Sequence, residues 1–345
     1  MSHDALSDVL RSVRLRSAVF YYVSCGDHWA AEAPGAKEIA QAVMPGTEHV
    51  IEYHVITKGE CWAAVVGEPP LKIRQGDTIM LPHGDAHVIS SAAGLRAKVD
   101  ISWLQEMKLN RRPFCITYQG LNGPQVMGPK GADIESADSF QTSLVCGFIG
   151  CDTRPFNPLI ATLPRLLHLP ASGNSAFSEQ FIKLAATESA RRSPGGEALL
   201  ERMSEMLFVD AVRQYVDTLP ESSKGWLAGL RDRCVGRALA LLHERPAAQW
   251  NIDELSKQVG LSRSALHERF VEFIGLPPVQ YLTNWRMQLA SRLLRDTQSS
   301  VASIALEVGY DSEPSFARAF KRLVGMPPAT WRRAQARKAS NINSV

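Results

Sequence analysis

The sequence predicts an α+β chain: a small N-terminal β-barrel with a helical hairpin, followed by an all-α C-terminal domain containing two helix-turn-helix units. Three observations point there. Short β-branched runs broken by Gly and Pro fill residues 19–150. From Phe177 the apolar spacing changes to a period of 3.6. Between Asn251 and Arg333 one pattern is written twice. At 345 residues and 45% apolar content the chain is long enough for two separate cores. The expected division is 1–218 for the first domain (barrel about 19–150, helices about 156–218), a linker at 219–230, a second domain at 231–333 and a tail at 334–345.

Residues 1–20 carry Leu6, Val9, Leu10 and Val13 at helical spacing, which predicts a short amphipathic helix packed on the first domain. This start is studded with charge and holds no apolar signal core, and no run of about 18 uncharged apolar residues follows. A cytoplasmic chain without a membrane partner is expected. The six cysteines lack CxxC spacing, which argues against a zinc ribbon or a secreted disulfide framework.

Strands are expected at 19–24, 49–57, 61–66, 71–74, 78–81, 87–91, 95–103 and 140–149, the texture of an antiparallel sandwich or barrel. Residues 107–138, rich in Gly, Pro and Asn with Arg111-Arg112 near their start, read as an exposed excursion between strands. Residues 158–169 look helical around their prolines.

Within the strands, Gly76, Pro82, Gly84 and His87 follow the spacing Gly-x5-Pro-x-Gly-x2-His. This resembles the second motif of the cupin superfamily, a small jelly-roll barrel. The first cupin motif is half present: Glu52 stands seven residues before Gly59, but its His-x-His pair falls on Gly46 and Glu48, with His49 and His54 off register. Metal-dependent cupin enzymes resemble one another in a His cluster plus a Glu, and here Glu52 and His54 alternate onto one strand face that His87 could join. With the pair missing, no catalytic residue, metal or cofactor is expected. Glu52, His54, Trp62 and His87 are instead read as an effector pocket for a small molecule. A metal-dependent cupin enzyme fused to a DNA-binding module is the rival reading, and redox sensing through Cys25, Cys61 and Cys146 is a third.

Apolar residues at helical spacing run from Phe177 to Ala185 and, past Ser193-Pro194-Gly195-Gly196, from Leu199 to Val216. The second helix is apolar enough to suggest a homodimer interface as well as a barrel cover.

The repeat is more specific. Leu255, Val259, Gly260, Leu266, Phe270, Gly275 and Pro277-Pro278 are echoed by Ile304, Val308, Gly309, Phe316, Phe320, Gly325 and Pro327-Pro328, at offsets of 49 residues before the turn and 50 after it. Two helices joined at a Gly make a helix-turn-helix, here at 251–273 and 300–323. Asn251 or Asp253 caps the first helix of the first unit and Ser262 its second; Asp311 or Ser312 caps the second helix of the second unit. Leu323 is expected inward. Between the units, residues 279–296 form a helix about 27 Å long, close to one turn of B-DNA at about 34 Å. From Arg231 onward 17 Lys and Arg stand against 10 Asp and Glu, a balance of +7, whereas the remainder carries 21 against 25, or −4. The repeated half is the basic one, which favours a polyanionic partner.

Gly309-Tyr310, Phe316, Phe320-Lys321, Gly325, Pro327-Pro328 and Arg332, with the first copy and Trp285-Arg286-Met287, resemble the DNA-binding domain of AraC/XylS-type transcription regulators. The runs Gly225–Asp232 and Gly59–Trp62, with the cupin motif, resemble the subgroup whose sensor domain is cupin-like. The resemblance implies double-stranded DNA as partner, a sensed signal, and contact with RNA polymerase more often in activation than in repression. Geometry then assigns base contacts to the outer faces of the recognition helices: Arg263, Ser264, His267 and Glu268 in the first, and Glu313, Pro314, Ser315 and Arg318 in the second. Arg269, Lys321 and Arg322 are expected on phosphates, and Arg332, Arg333, Arg337 and Lys338 on a solubilising tail.

Overall fold

A computed structural model describes residues 3–101, 114–121, 123–127, 140–173, 176–191 and 194–343. The chain divides into two compact units: Leu15–Cys151 with Leu163–Thr218, and Met1–Arg14 with Asp152–Thr162 and Leu219–Val345.

The first unit is a curled ten-stranded sheet with helices. Its strands are β1 (Arg16–Ala33), β2 (His49–Lys58), β3 (Glu60–Val65), β4 (Leu71–Arg74), β5 (Thr78–Leu81), β6 (His87–Ser90), β7 (Phe114–Gly120), β8 (Pro124–Met127), β9 (Thr142–Cys151) and β10 (Leu167–Leu169). The order is β10-β5-β2-β9-β1-β6-β3-β4, with β7 parallel to β1 and β8 beside β7. The long β1 makes the curl. Its first half pairs antiparallel with β9, from Arg16 opposite Gly150 to Cys25 opposite Thr142. The register against β7 shifts between Cys25 and Trp29, and Ala30–Ala33 then pair with β6. A register irregularity of this kind bends a strand enough to serve two sheets.

Alternation along β2 separates two environments. Val50, Ile56 and, on β9, Leu144, Cys146 and Phe148 face an inner cluster with Tyr21, Val23 and Cys25. Tyr53, on the opposite face of β2, meets the helices: its ring is edge-on to Phe181 at 6.5 Å and its hydroxyl lies 2.7 Å from Ser204 Oγ. Those helices are α3 (Ala176–Arg191) and α4 (Gly196–Thr218). Both chain positions fit the expected hairpin. Helix α2 (Ala36–Val43) packs on β2 from the inner cluster through Ile39 and Val43.

The second unit is all-helical: α1 (Ala5–Ser12), α5 (Trp226–Arg231), α6 (Arg233–Glu244), α7 (Ile252–Val259), α8 (Arg263–Ile274), α9 (Pro278–Asp296), α10 (Val301–Glu307), α11 (Glu313–Val324) and α12 (Pro328–Asn343). Side-chain oxygens cap the starts of the four helix-turn-helix elements: Asn251, Ser262, Ser300 and Ser312 each accept from the backbone N–H three residues on. Of the alternatives left open by the sequence, Asn251 and Ser312 are the caps. Leu255, Leu266 and Phe270 are buried in the first pair, and Ile304, Phe316 and Phe320 in the second. Ser256 and its counterpart Ala305 are both buried. Helix α9 supports both units, with Tyr281, Leu282 and Trp285 toward the first and Met287, Ala290 and Leu294 in the core of the second.

Several expectations are corrected. Helix α1 packs on α6 and α9 within the helical unit, not on the barrel: Asp8 lies 3.5 Å from His243, and Gln288 Nε2 donates to the Ser12 carbonyl at 3.1 Å. Ala5, Val9 and Val13 are the buried apolar residues of this segment. The stretch read as an excursion contains β7, whose pairing with β1 is long-range and leaves no local signature, and β8, which pairs with β7; Arg111 and Arg112 lie outside the described residues. No strand forms over residues 95–101, which were expected to begin one. The helix expected at 158–169 is a 3-10 turn (Ile160–Thr162) followed by β10, because its prolines remove the N–H groups a helix needs. Residues of the expected linker form α5, in which Trp226 is buried and donates to Tyr281 Oη at 2.8 Å. The expected tail continues as α12 to Asn343, and Leu323 is exposed.

Candidate nucleic-acid interface and buried cavity

Each recognition helix enters from a tight turn. In the first, Gly260 adopts φ 76° and the N–H groups of Gly260 and Leu261 both donate to Ser256 O. In the second, Gly309 adopts φ 87°, Gly309 N donates to Leu306 O and Tyr310 N to Ala305 O, a Schellman arrangement. The extra residue of the second copy falls after this turn, ahead of the Ser312 cap. Arg286 on α9 holds the loop under the second turn by donating to Pro246 O at 2.7 Å and Ala248 O at 2.8 Å.

On α8 the structure leaves Arg263, Ser264, His267 and Glu268 exposed along one face, with Arg263 Nε 3.0 Å from Asp253. On α11 Glu313, Pro314 and Arg318 are exposed. Ser315 is half-buried and engaged with the cap, its hydroxyl donating to Ser312 O at 2.8 Å. Lys321 and Arg322 are exposed too, and with Arg318 they make no ion pair among the described residues.

Two assignments change. Arg269, expected on phosphate, points back to Asp232, the N-cap of α6, with Nε at 3.0 Å and Nη2 at 2.5 Å. Burial raises the Asp232 carboxyl, but hydrogen bonds from Arg269 and the backbone N–H groups of Val235 and Cys234 outweigh it and leave the pKa lowered. Arg332, expected on a solubilising tail, donates to Leu294 O at 3.0 Å and Ser299 O at 2.6 Å and so closes the C-terminal end of α9. The spacing of charges showed neither partner, because both pairings span more than thirty residues.

In the other unit a cavity of about 50 Å³ is lined by Glu52, His54, His87, Cys146, Tyr21, Trp29 and Tyr118 among others. That is room for a few water molecules. Three of the four pocket residues proposed from sequence meet here. His54 Nε2 lies 2.8 Å from His87 Nε2, and Glu52 Oε1 is 3.9 Å from His54 Nε2. Trp62 does not join them: it alternates to the other side of β3 and lines a separate groove with Val66, Pro70 and Arg96. Tyr21 falls within the strand expected at 19–24 without being singled out for the pocket, whereas Trp29 lies beyond that strand's expected end and Tyr118 in a stretch where no strand is expected.

Hydrogen bonding orders the cluster. His87 Nδ1 lies 3.1 Å from Asp85 O, which can only accept, so His87 carries its proton on Nδ1 and accepts at Nε2. His54 must then donate from Nε2 and accept at Nδ1 from the Cys146 thiol, 2.9 Å away. Tyr21 Oη donates to Glu52 Oε1 at 2.9 Å. Burial pushes His54 well below the usual imidazole range, with the neighbouring His87 adding to it. Burial likewise raises Glu52, against the opposing effects of His87 and the Tyr21 hydrogen bond. The thiols behave the same way: burial raises Cys25 and Cys146 well above the ordinary range and pushes Cys61 up to about 12.

Residues 4–217 match the Cupin family model, and residues 255–334 match a Helix-turn-helix domain model. The chain is similar to an AraC-like transcription regulator of Streptomyces lividans, 30% identical over 332 residues that cover 96% of this chain and 98% of the relative. It is also similar to the HTH-type transcriptional regulator AlkR of Acinetobacter baylyi, 26% identical over 95% of this chain and 99% of that protein. Among solved structures, the DNA-binding domain of AdpA in complex with a target DNA is 30% identical, covering 31% of this chain and 96% of that one, with a TM-score of 0.30.

Proposed function

Because this chain belongs to the AraC/XylS-type transcription regulators, sequence-specific DNA-binding proteins that here carry a cupin-like sensor domain, we propose that it activates transcription as a homodimer in response to an effector bound in the barrel. Its relatives are transcription regulators and not catalytic cupin enzymes. No helix among the described residues is long and apolar enough to cross a membrane.

The observation that carries the DNA-reading mechanism is the mounting of two capped recognition helices on α9. At 1.5 Å per residue its 19 residues span about 28 Å, close to the 34 Å turn of B-DNA. Each protomer then sets α8 and α11 into successive major grooves. Arg263, Ser264, His267 and Glu268 read the first segment, and Glu313, Ser315 and Arg318 the second, with Lys321 and Arg322 on the phosphates beside it. Hydroxyl-radical footprinting with the full chain tests this: two protected segments about 10 base pairs apart per protomer are expected. Protection of one segment would retire one of the two units as a reader. The full chain is used because α1 packs into the helical unit.

The exposed Leu199 and Met206, seven residues apart on α4, support the homodimer. The effector reading draws on Glu52, His54 and His87 around one buried cavity. Trp29 adds an indole N–H on the cavity wall without a hydrogen-bond partner among the described residues. Activation through RNA polymerase rests on the family. Thiol-based redox sensing is disfavoured, since the thiolate is the reactive form and burial suppresses it at Cys25, Cys61 and Cys146.

A further inference from the structure

In the run Trp285-Arg286-Met287 the two neighbours of Arg286 serve different units. Trp285 stacks on His243 of α6 at 4.1 Å, whereas Met287 belongs to the core of the second helix-turn-helix. That core draws on α9 to α12 and holds no residue of α7 or α8 among those described. Apolar packing thus joins each unit to α9 separately. We propose that Arg286 is a positioning residue that clamps the two units to one another through the loop 245–250, and so sets the one spacing between DNA segments that a protomer accepts. The proposal rests on the two-groove reading and names what enforces it.

The loop belongs to the first unit by chain continuity. Trp250 is buried, its indole N–H donates to Arg245 O at 3.0 Å, and the next residue, Asn251, caps α7. The Arg245 guanidinium lies over the same indole at 4.6 Å, so the loop's own residues set its shape. Arg286 grips it with a fork, Nε donating to Pro246 O and Nη2 to Ala248 O. Both donors lie on one edge of a planar group, which fixes direction as well as distance.

On its other side the same guanidinium lies 5.8 Å from the centre of the Tyr310 ring, and Tyr310 is edge-on to Phe316 of the recognition helix α11 at 5.6 Å. Gly309 presses on the loop between these contacts, since a Cβ there would lie 2.7 Å from Ala247 Cα and O. Gln249 Nε2 donates to the Gly309 carbonyl at 3.4 Å. The entry of α7 and the turn before α11 are therefore held together by contacts that lie off the axis of α9. A rod between two bodies fixes their separation; a second tie away from its axis fixes their relative rotation. Rotation matters on DNA, because one inserted base pair turns the second segment by about 34° and moves it about 3.4 Å along the axis. A clamped pair of helices cannot follow that turn. An unclamped pair follows part of it, and loses affinity for the correct spacing because it must be ordered on binding.

The test uses the full chain and duplexes of about 30 base pairs selected by the wild type from a random library. Derivatives carry one base pair inserted or deleted between the two footprinted segments, or have one segment scrambled. By anisotropy the wild type should bind either altered spacing at least about 30-fold more weakly than the selected one. Arg286→Ala should bind the selected spacing about 10-fold more weakly, discriminate between spacings by less than about 5-fold, and match the wild type on duplexes with one segment scrambled. Arg286→Lys, which keeps the charge but not the fork, should fall between them. A folded Arg286→Ala chain that keeps the wild-type spacing preference overturns the clamp, as does one whose loss is the same on intact and scrambled duplexes. Where Arg286→Ala does not fold, Arg286→Lys decides by the same spacing ratio, and an unchanged ratio overturns the clamp. A wild type that protects a single segment removes the two-groove reading and the clamp with it, whereas strict spacing in wild type and variants alike removes the clamp alone.

Discussion

In the first helix-turn-helix unit Arg263 is paired with Asp253 at 3.0 Å and Arg269 with Asp232 at 2.5 Å, whereas in the second Arg318, Lys321 and Arg322 stand exposed without an ion pair among the described residues. The turns differ as well. A Cβ on Gly260 would meet nothing within 4 Å, while one on Gly309 would lie 2.7 Å from both Cα and O of Ala247. Two copies of one sequence pattern have thus been put to unequal use. The second is packed tightly against its supporting loop and offers the free positive charge. The first has tied part of its charge into the helical scaffold and offers mostly Ser264, His267 and Glu268.

The largest effect expected from this contrast is at the turns. Gly309→Ala should cost about 3 kcal/mol or more, combining the left-handed backbone with overlap against Ala247, and Gly260→Ala only about 1–2 kcal/mol, from the backbone alone. Urea unfolding of the two variants measures this, and equal losses would show that the second turn relaxes away from its loop. Next comes base reading. Arg318→Ala should cost about 1–3 kcal/mol on cognate DNA and relax specificity at one base pair, as seen by anisotropy against a panel of operator variants. An equal loss on cognate and random sequence would move Arg318 to the phosphates.

Smaller still is the split between free and tied cations. Lys321→Ala should lower the slope of log K against log salt by about 1, while Arg269→Ala should leave that slope alone and reduce folding stability by less than about 1 kcal/mol, its ion pair being half exposed. A slope change in Arg269→Ala would mean that it leaves Asp232 for the DNA. The mildest test is acid unfolding. Asp232 has a lowered pKa in the folded chain, so its contribution is complete above the unfolded carboxylate value of about 3.9 and is lost as the pH falls through the folded one. Asp232→Asn should therefore flatten the acid limb of stability while leaving DNA affinity near neutral pH unchanged.

How much could be read beforehand follows the range of the interactions. The helical repeat was legible because caps, left-handed glycines and the 3.6 period all act within a few residues. Ser262 therefore stands where the chain alone put it, and Asn251 and Ser312 are each one of the two caps that the chain offered. Strand β7 was invisible because its partner β1 lies about ninety residues earlier, and β8 pairs with β7 in turn; a strand in a Gly- and Pro-rich stretch has no local pattern strong enough to announce it. The cavity falls between these cases. Alternation put Glu52 and His54 on one face of β2, but Tyr21, Trp29 and Tyr118 arrive through the bend of β1 and the pairing of β7.

By itself the sequence determined two domains, a basic repeated half and the identity of two recognition helices, since these rest on periodicity, capping and charge that need no distant partner. Tertiary structure alone decided that α1 packs with the helical unit, that Arg269 and Arg332 serve the scaffold, and that Trp62 faces away while His54 meets His87. Each of those outcomes is a choice among partners far apart along the chain, and burial, hydrogen bonding and close packing select the partner only once the chain is folded.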